Sequence, residues 1–269
     1  MKIFNKHNEY IQIGRGTVLF FLLLFFALST IKLNAQDLID QQKKSVRSSL
    51  YNFSYVDFNI DFYDLGKKRY LLSQTGNGVL KVNNNNYLNL EYNISNSWFN
   101  NTNYLTAGDF HFAYIHNFYT KNYLDKGFQG ISTKIKVIIP TGKSEYSTGF
   151  DNWILEPLVY AGWKLKDKKT YFLYRVRLNF SISPLPGLES TSPYIRYEPI
   201  MGYENDKFWI ASTGDNRLTL DNWEYTFLFK TEIGLKLSDF NGIFASINYR
   251  IIGDYYYKYY ISCGYYKTF

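Results

Sequence analysis

The chain has 269 residues, room for one large domain or two small ones, and a fifth of it is aromatic, with 27 Tyr, 22 Phe and 5 Trp. Its formal charge of +7 puts +3 in the first 35 residues (Lys2, Lys6, Arg15 and Lys32 against Glu9), leaving a dispersed +4 that argues against a nucleic-acid partner. The single cysteine, Cys263, excludes an intramolecular disulfide and any metal cage built on cysteines.

The first segment reads as an export signal. Lys2, Lys6 and Arg15 form a basic start, and Val18 to Leu28 is an unbroken apolar run, too short for a comfortable helical span. Two cleavage points compete. One follows Ala35, with Leu33 departing from the small-residue pattern, and the other follows Ser29, with Ala27 three residues from the cut. No cysteine follows the run, so a lipid anchor is excluded. The expected layout is a signal over 1–35, a polar periplasmic lead-in over 36–49 and one β domain over 50–269.

From Leu50 onward the chain is a succession of strands. The first, near 50–63, changes face at Tyr55–Val56, where a bulge is expected. A second, near 70–82, carries Gly76 and Gly78. Asn83–Asn86 is a polar turn. A third strand sets Leu88, Leu90, Tyr92 and Ile94 against Asn89, Glu91 and Asn93. The fourth, near 104–119, sets Phe110, Phe112 and Tyr114 against Asp109 and His111.

The clearest pattern is the hairpin of the fifth and sixth strands, Ile131 to Leu165. Ile131, Thr133, Ile135, Val137 and Ile139 share one face, with Lys134 and Lys136 on the other. After a polar loop, Trp153, Leu155, Pro157, Val159, Ala161 and Trp163 oppose Glu156, Tyr160 and Lys164. Period-2 alternation over arms of about ten residues suits tilted strands crossing a bilayer.

The seventh strand sets Phe172, Tyr174, Val176, Leu178 and Phe180 outward against Arg175, Arg177 and Asn179. The eighth carries Arg196 and Glu198 inward, and its Pro199 predicts a bulge or kink. A short ninth strand is expected over Phe208–Thr213, followed by a loop over Gly214–Asn222. The tenth sets Trp223, Tyr225, Phe227, Phe229 and Ile233 against Glu224, Lys230, Glu232 and Lys236. The eleventh sets Ile243, Ile247 and Tyr249 against Asn248 and Arg250. The last ends on Phe269, in register with Tyr257, Ile261 and Tyr265.

The count is about twelve, and even, as an up-and-down antiparallel barrel of the outer membrane requires. With the N-terminus in the periplasm, even-to-odd connections should be short and odd-to-even ones longer. Thr120–Gly127 and Asn100–Asn103 fit this least. The same alternation would serve a soluble β-sandwich; the export signal, the strand length and the terminal Phe favour the barrel. Phe269 also resembles the terminal signal read by the barrel-assembly machinery, so outer-membrane lipid and that machinery are the expected partners.

Pro140-Thr141-Gly142 closing one strand and Trp153-x-x-Glu156-Pro157 opening the next resemble the transporter-like outer-membrane barrels labelled as meta-pathway phenol-degradation proteins. The likeness runs over Ile131–Phe269, with the loop KSEYSTGFDN departing from it. It implies a transport barrel whose cargo is small and often aromatic or hydrophobic.

Parity assigns the lumen. The expected lining is Lys134 and Lys136, Glu156 and Lys164, Arg175 and Arg177, Arg196 and Glu198, Glu224, Lys230 and Glu232, and Arg250. A surplus of cations there would favour anionic solutes. The plainer alternative is a set of crossed ion pairs that fills a narrow bore. The function expected is passive or facilitated passage of small solutes. The alternative is a filled barrel acting as a membrane-surface enzyme, lipase-like or protease-like, or as a structural or adhesive protein. For an enzyme, His111 and His116 fall on opposite faces, and Asp215 and Asp221 read as solvated loop acids. No cofactor or phosphate-binding motif is present, since the PTGK at Pro140–Lys143 does not join a strand to a helix.

Overall fold

A computed structural model of the protein describes residues 53–99, 102–120, 126–143, 149–150, 152–183, 192–254 and 257–269. The signal and the lead-in expected over 1–49 lie outside the described residues. Twelve strands run in order: β1 (Tyr55–Gly66), β2 (Arg69–Lys81), β3 (Asn86–Phe99), β4 (Thr102–Thr120), β5 (Gly127–Ile139), β6 (Trp153–Lys164), β7 (Thr170–Ser183), β8 (Tyr194–Glu204), β9 (Phe208–Thr219), β10 (Tyr225–Lys236), β11 (Asn241–Ile252) and β12 (Tyr259–Thr268). Each pairs antiparallel with its sequence neighbours, and β1 pairs with β12 from Tyr55–Thr268 to Asp64–Tyr259, closing the barrel.

The alternation decides which side is wet. On β11, Ile243, Ile247, Tyr249 and Ile251 are exposed outward, while Phe244, Ser246 and Asn248 are buried inward. On β7, Tyr174, Val176 and Leu178 face out and Arg175, Arg177 and Asn179 face in. A continuous outer band of large apolar side chains around a polar interior is stable only against lipid. The fold is therefore a membrane-spanning barrel.

One end of the barrel carries both β1's start and β12's finish, and there the β2–β3, β6–β7 and β8–β9 turns are tight and self-capped. Asn83 Oδ1 accepts the backbone N–H groups of Asn85 and Asn86 at 3.0 Å each. Asn205 Oδ1 does the same for Lys207 and Phe208, at 2.8 and 2.9 Å. Asp167 accepts the Thr170 hydroxyl at 2.6 Å and the Thr170 and Lys169 N–H groups at 2.9 and 3.0 Å. Those donors hold its carboxyl below the usual carboxylate range. Each side chain mimics a backbone turn, which is why polar clusters were readable there as turns. Tight turns fit the periplasmic end expected from the sequence. At the other end the β1–β2 connection is also short: Lys67 and Lys68 both adopt left-handed φ (51° and 59°) after Gly66.

Three expectations need correction. Registers on both sides of Tyr55–Val56 run unbroken, so β1 simply begins at Tyr55 and needs no bulge there. Pro199 introduces no register shift: β8 and β9 keep one register from Tyr197–Asn216 to Ile200–Thr213, with the ladder interrupted between them. Lastly, β9 continues through the turn-like Gly214-Asp215-Asn216 to Thr219.

These last two findings share one cause. Proline has no N–H to give to β9. Asn216, on the outer face, supplies a substitute: its Nδ2 donates to the Tyr197 carbonyl at 3.1 Å and the Gly214 carbonyl at 3.3 Å. Its Oδ1 accepts the Tyr225 hydroxyl at 2.7 Å, so the amide is satisfied on the lipid side. Pro157 interrupts the β6–β7 ladder in the same way, between Leu155–Phe180 and Leu158–Arg177.

Near the periplasmic end the interior is packed with rings. The Tyr171 ring lies against Gly202 and the Trp209 ring against Gly234, in space that a Cβ at either glycine would need. Trp209, Phe244 and Tyr266 form one buried cluster, with Trp209 Nε1 donating to Glu232 Oε1 at 3.0 Å.

Candidate functional site: the charged wall of the lumen

The register builds a row of guanidiniums. Arg177 on β7 pairs with Arg196 on β8, which pairs with Arg217 on β9. Adjacent strands lie about 4.8 Å apart, so three cations side by side would repel strongly unless acids intervened. Two residues along the same strands, Arg175 pairs with Glu198, and Glu156 pairs with Lys136 across β5–β6.

The acids lock the row. Glu198 receives Arg175 Nη2 at 2.9 Å, Arg177 Nη2 at 2.6 Å and Arg196 Nη2 at 2.8 Å. Glu156 receives Lys136 Nζ at 2.9 Å and Arg177 Nη1 at 3.1 Å. Asp215 receives Arg196 Nε at 2.6 Å and Arg217 Nη2 at 2.8 Å. Charge-assisted bonds of this length are strong, and each acid is almost wholly covered by its cations. Yet Lys136 and Arg175, Arg177, Arg196 and Arg217 are five cations around three carboxylates, a surplus of two.

Solvent reaches this surplus unevenly. The Arg175 side chain is 27% exposed and that of Arg196 18%, whereas Glu198 is 1% exposed. Lys230 on β10, also 27% exposed, is tied to Glu232 at 3.0 Å. This wall of the lumen thus shows solvent its cations more than its anions.

The remaining residues of the expected lining divide. Lys134 faces inward and donates to Asn89 Oδ1 at 2.5 Å. Lys164 is buried at the periplasmic end beside Glu204 and Lys236, which contact each other at 2.7 Å. Arg250 lies at the far end of β11 and reaches the exposed Asp254 at 3.4 Å. Glu224 is a correction: it keeps the inward parity but precedes β10, in an exposed connection next to Trp223, whose φ of 57° turns the chain. Lumen placement needs a strand, and at Glu224 the strand has not begun.

Asp215 is the residue that parity could have found and turn chemistry hid. Trp209, Ala211, Thr213, Asp215 and Arg217 keep a strict period of two, but Gly-Asp-Asn reads as a turn. Asp221, its expected loop companion, is exposed and apart from it.

The opposite wall differs in kind. There Ser95 Oγ donates to Ser73 Oγ at 3.1 Å, and Asn77 Nδ2 donates to Asp57 at 2.8 Å. Glu91 on β3 meets His111 Nδ1 on β4 at 2.8 Å. His116 is on the outer face, with Nδ1 2.7 Å from Asn86 Oδ1 and its ring edge-on to Phe118.

The Pro140-Thr141-Gly142 segment has a structural role. Thr141 Oγ1 donates to the Gly108 carbonyl at 2.5 Å. Both oxygens of Asp109 accept backbone N–H groups, from Gly142 and Phe150, at 2.9 Å each. One carboxylate of β4 therefore ties down both ends of the β5–β6 connection.

No family model matches the chain, and no curated protein sequence does either. Solved structures do. The COG4313 outer-membrane channel from Pseudomonas putida F1 is 12% identical over 85% of this chain and 100% of its own, with a TM-score of 0.61. The NanC porin is 11% identical over 80% of this chain and 100% of its own, at 0.59. The KdgM porin, solved in complex with disordered oligogalacturonate, is 11% identical over 80% of this chain and 99% of its own, at 0.56. At such low identity the likeness is one of architecture: this chain has the fold of porin-like outer-membrane barrels.

Proposed function

We propose that the protein is an outer-membrane channel for passive passage of small solutes, with anions favoured over cations. The observation that carries this is the Arg177–Arg196–Arg217 row with Arg175 beside it, whose cations outnumber the carboxylates and reach solvent at Arg175 and Arg196. A narrow passage lined this way concentrates anions and repels cations. The names of the similar structures, two porins and a channel, support passage as the general role. The oligogalacturonate in one of them is a solute of the anionic kind.

Under this reading outer-membrane lipid surrounds the apolar band, and Phe269 serves recognition by the assembly machinery. Phe269 closes the last strand, its N–H donating to the Ser54 carbonyl at 2.9 Å and its ring lying 5.2 Å from Lys267 Nζ. Aromatic or hydrophobic cargo stays a secondary reading. It rests on the resemblance of the Pro140–Pro157 hairpin, whose Pro-Thr-Gly segment is a tethered loop rather than a lumen contact. A non-enzymatic role agrees with His111 and His116 being engaged by Glu91 and Asn86.

The test is reconstitution of the refolded barrel in a planar bilayer under a salt gradient. The expected outcome is discrete conductance with a reversal potential on the anion-selective side, reduced in the double variant Arg175→Gln/Arg196→Gln. A silent bilayer, or cation selectivity, would overturn the proposal.

A further inference from the structure

Glu91 and His111 form an accessible ion contact on the wall that faces the arginine row. They are direct register partners on β3 and β4, 2.8 Å apart, with side chains 31% and 15% exposed. Of the three histidines in the chain, His7 lies in the expected signal and His116 is on the lipid face. His111 is thus the inward histidine, and histidine is the side chain whose ordinary titration falls between pH 5 and 8.

We infer that the Glu91–His111 pair modulates the charge preference set by the arginine row and makes it depend on pH. This rests on the passage reading given above. The sign follows from the two protonation states. With His111 neutral, Glu91 places a negative charge on the wall opposite the arginines, an attraction for cations. With His111 protonated, the pair is neutral and the lumen is one positive charge richer. Acidification therefore raises anion preference.

The surroundings leave this logic intact. β5 contributes Lys134 and Lys136 to the field at Glu91, β4 contributes Asp109 beside His111, and Asp61 of β1 lies within the field of Glu91. β2 faces Glu91 with the uncharged Asn77. None of these other groups is a histidine, and replacing His111 alone separates its contribution from theirs. Lys136 is itself held by Glu156 at 2.9 Å, so it does not neutralise Glu91 alone.

The experiment is the anion-to-cation permeability ratio of the full barrel at pH 7.5 and 5.5, from reversal potentials in a planar bilayer. The expected change is a rise of about sevenfold on acidification, the scale of one unit charge acting through roughly 7 Å of water on anion and cation in opposite senses. His111→Gln should abolish the rise. Glu91→Gln should raise the ratio at pH 7.5, because the wall opposite the arginines loses its negative charge. His116→Gln should leave the rise in place. A band that shifts on boiling in SDS shows that each variant has folded. A conducting channel whose ratio is the same at both pH values overturns this inference and leaves passage standing. The same holds if His111→Gln keeps the rise. A bilayer silent at both pH values overturns passage and this inference with it.

Discussion

The two halves of the lumen wall are built from opposite materials. From β5 to β10 the interior is a lattice of guanidiniums, ammonium groups and carboxylates. From β11 round to β3 it is mostly serine, asparagine and tyrosine, with Ser73, Ser95, Ser97, Ser246, Asn248 and Ser262 all buried. The first half spends long side chains to place charge where solvent meets it. The second is built largely from short, uncharged side chains. One barrel thereby concentrates its ionic contacts on one side of its cross-section.

If that division is real, the two halves should break differently. The largest effect is expected at Glu198, whose carboxylate holds three arginines. Glu198→Ala strands buried cations and should cost about 3–5 kcal/mol, read as a lower urea midpoint of the refolded barrel in detergent or lipid. Next is the outer face of the same half. Asn216→Leu removes the amide that replaces proline's missing donor and should cost about 1–3 kcal/mol. In a Pro199→Val background the same change should cost clearly less, since valine brings its own N–H; an equal cost in both would break the link between them. Smallest is the serine-lined wall. Ser95→Ala loses one hydroxyl bond to Ser73 and should cost about 0.5–1.5 kcal/mol with no change in ion preference. A loss there as large as at Glu198 would erase the comparison.

How much of this was legible in the chain depends on what each feature needs. Face assignment needs only period two, so Arg175, Arg177 and Lys136 could be placed inward without coordinates. Turns capped by their own side chains, as at Asn83 and Asp167, announce themselves because the residues that cap are the ones that mark turns. Partnership is another matter. That Arg177, Arg196 and Arg217 stand in one row depends on the register of two hairpins, and a slip of two residues would preserve every parity while changing every neighbour. The end of β9 was hidden for a related reason: Gly214-Asp215-Asn216 satisfies local turn chemistry, and only the proline on the neighbouring strand explains why it stays extended. At Glu224 the error ran the other way, a correct period carried past the strand that gave it meaning.

The pairing of β1 with β12 has a consequence for how the protein comes to exist. It joins residues separated by roughly 200 positions, so the most distant contacts in the chain are also the ones that close it. Until β12 arrives, both terminal strands present open hydrogen-bonding edges and a greasy face to whatever surrounds them. Short of the complete set of strands, those edges have no partner within the chain. Closing the barrel and covering its last edges are therefore one event.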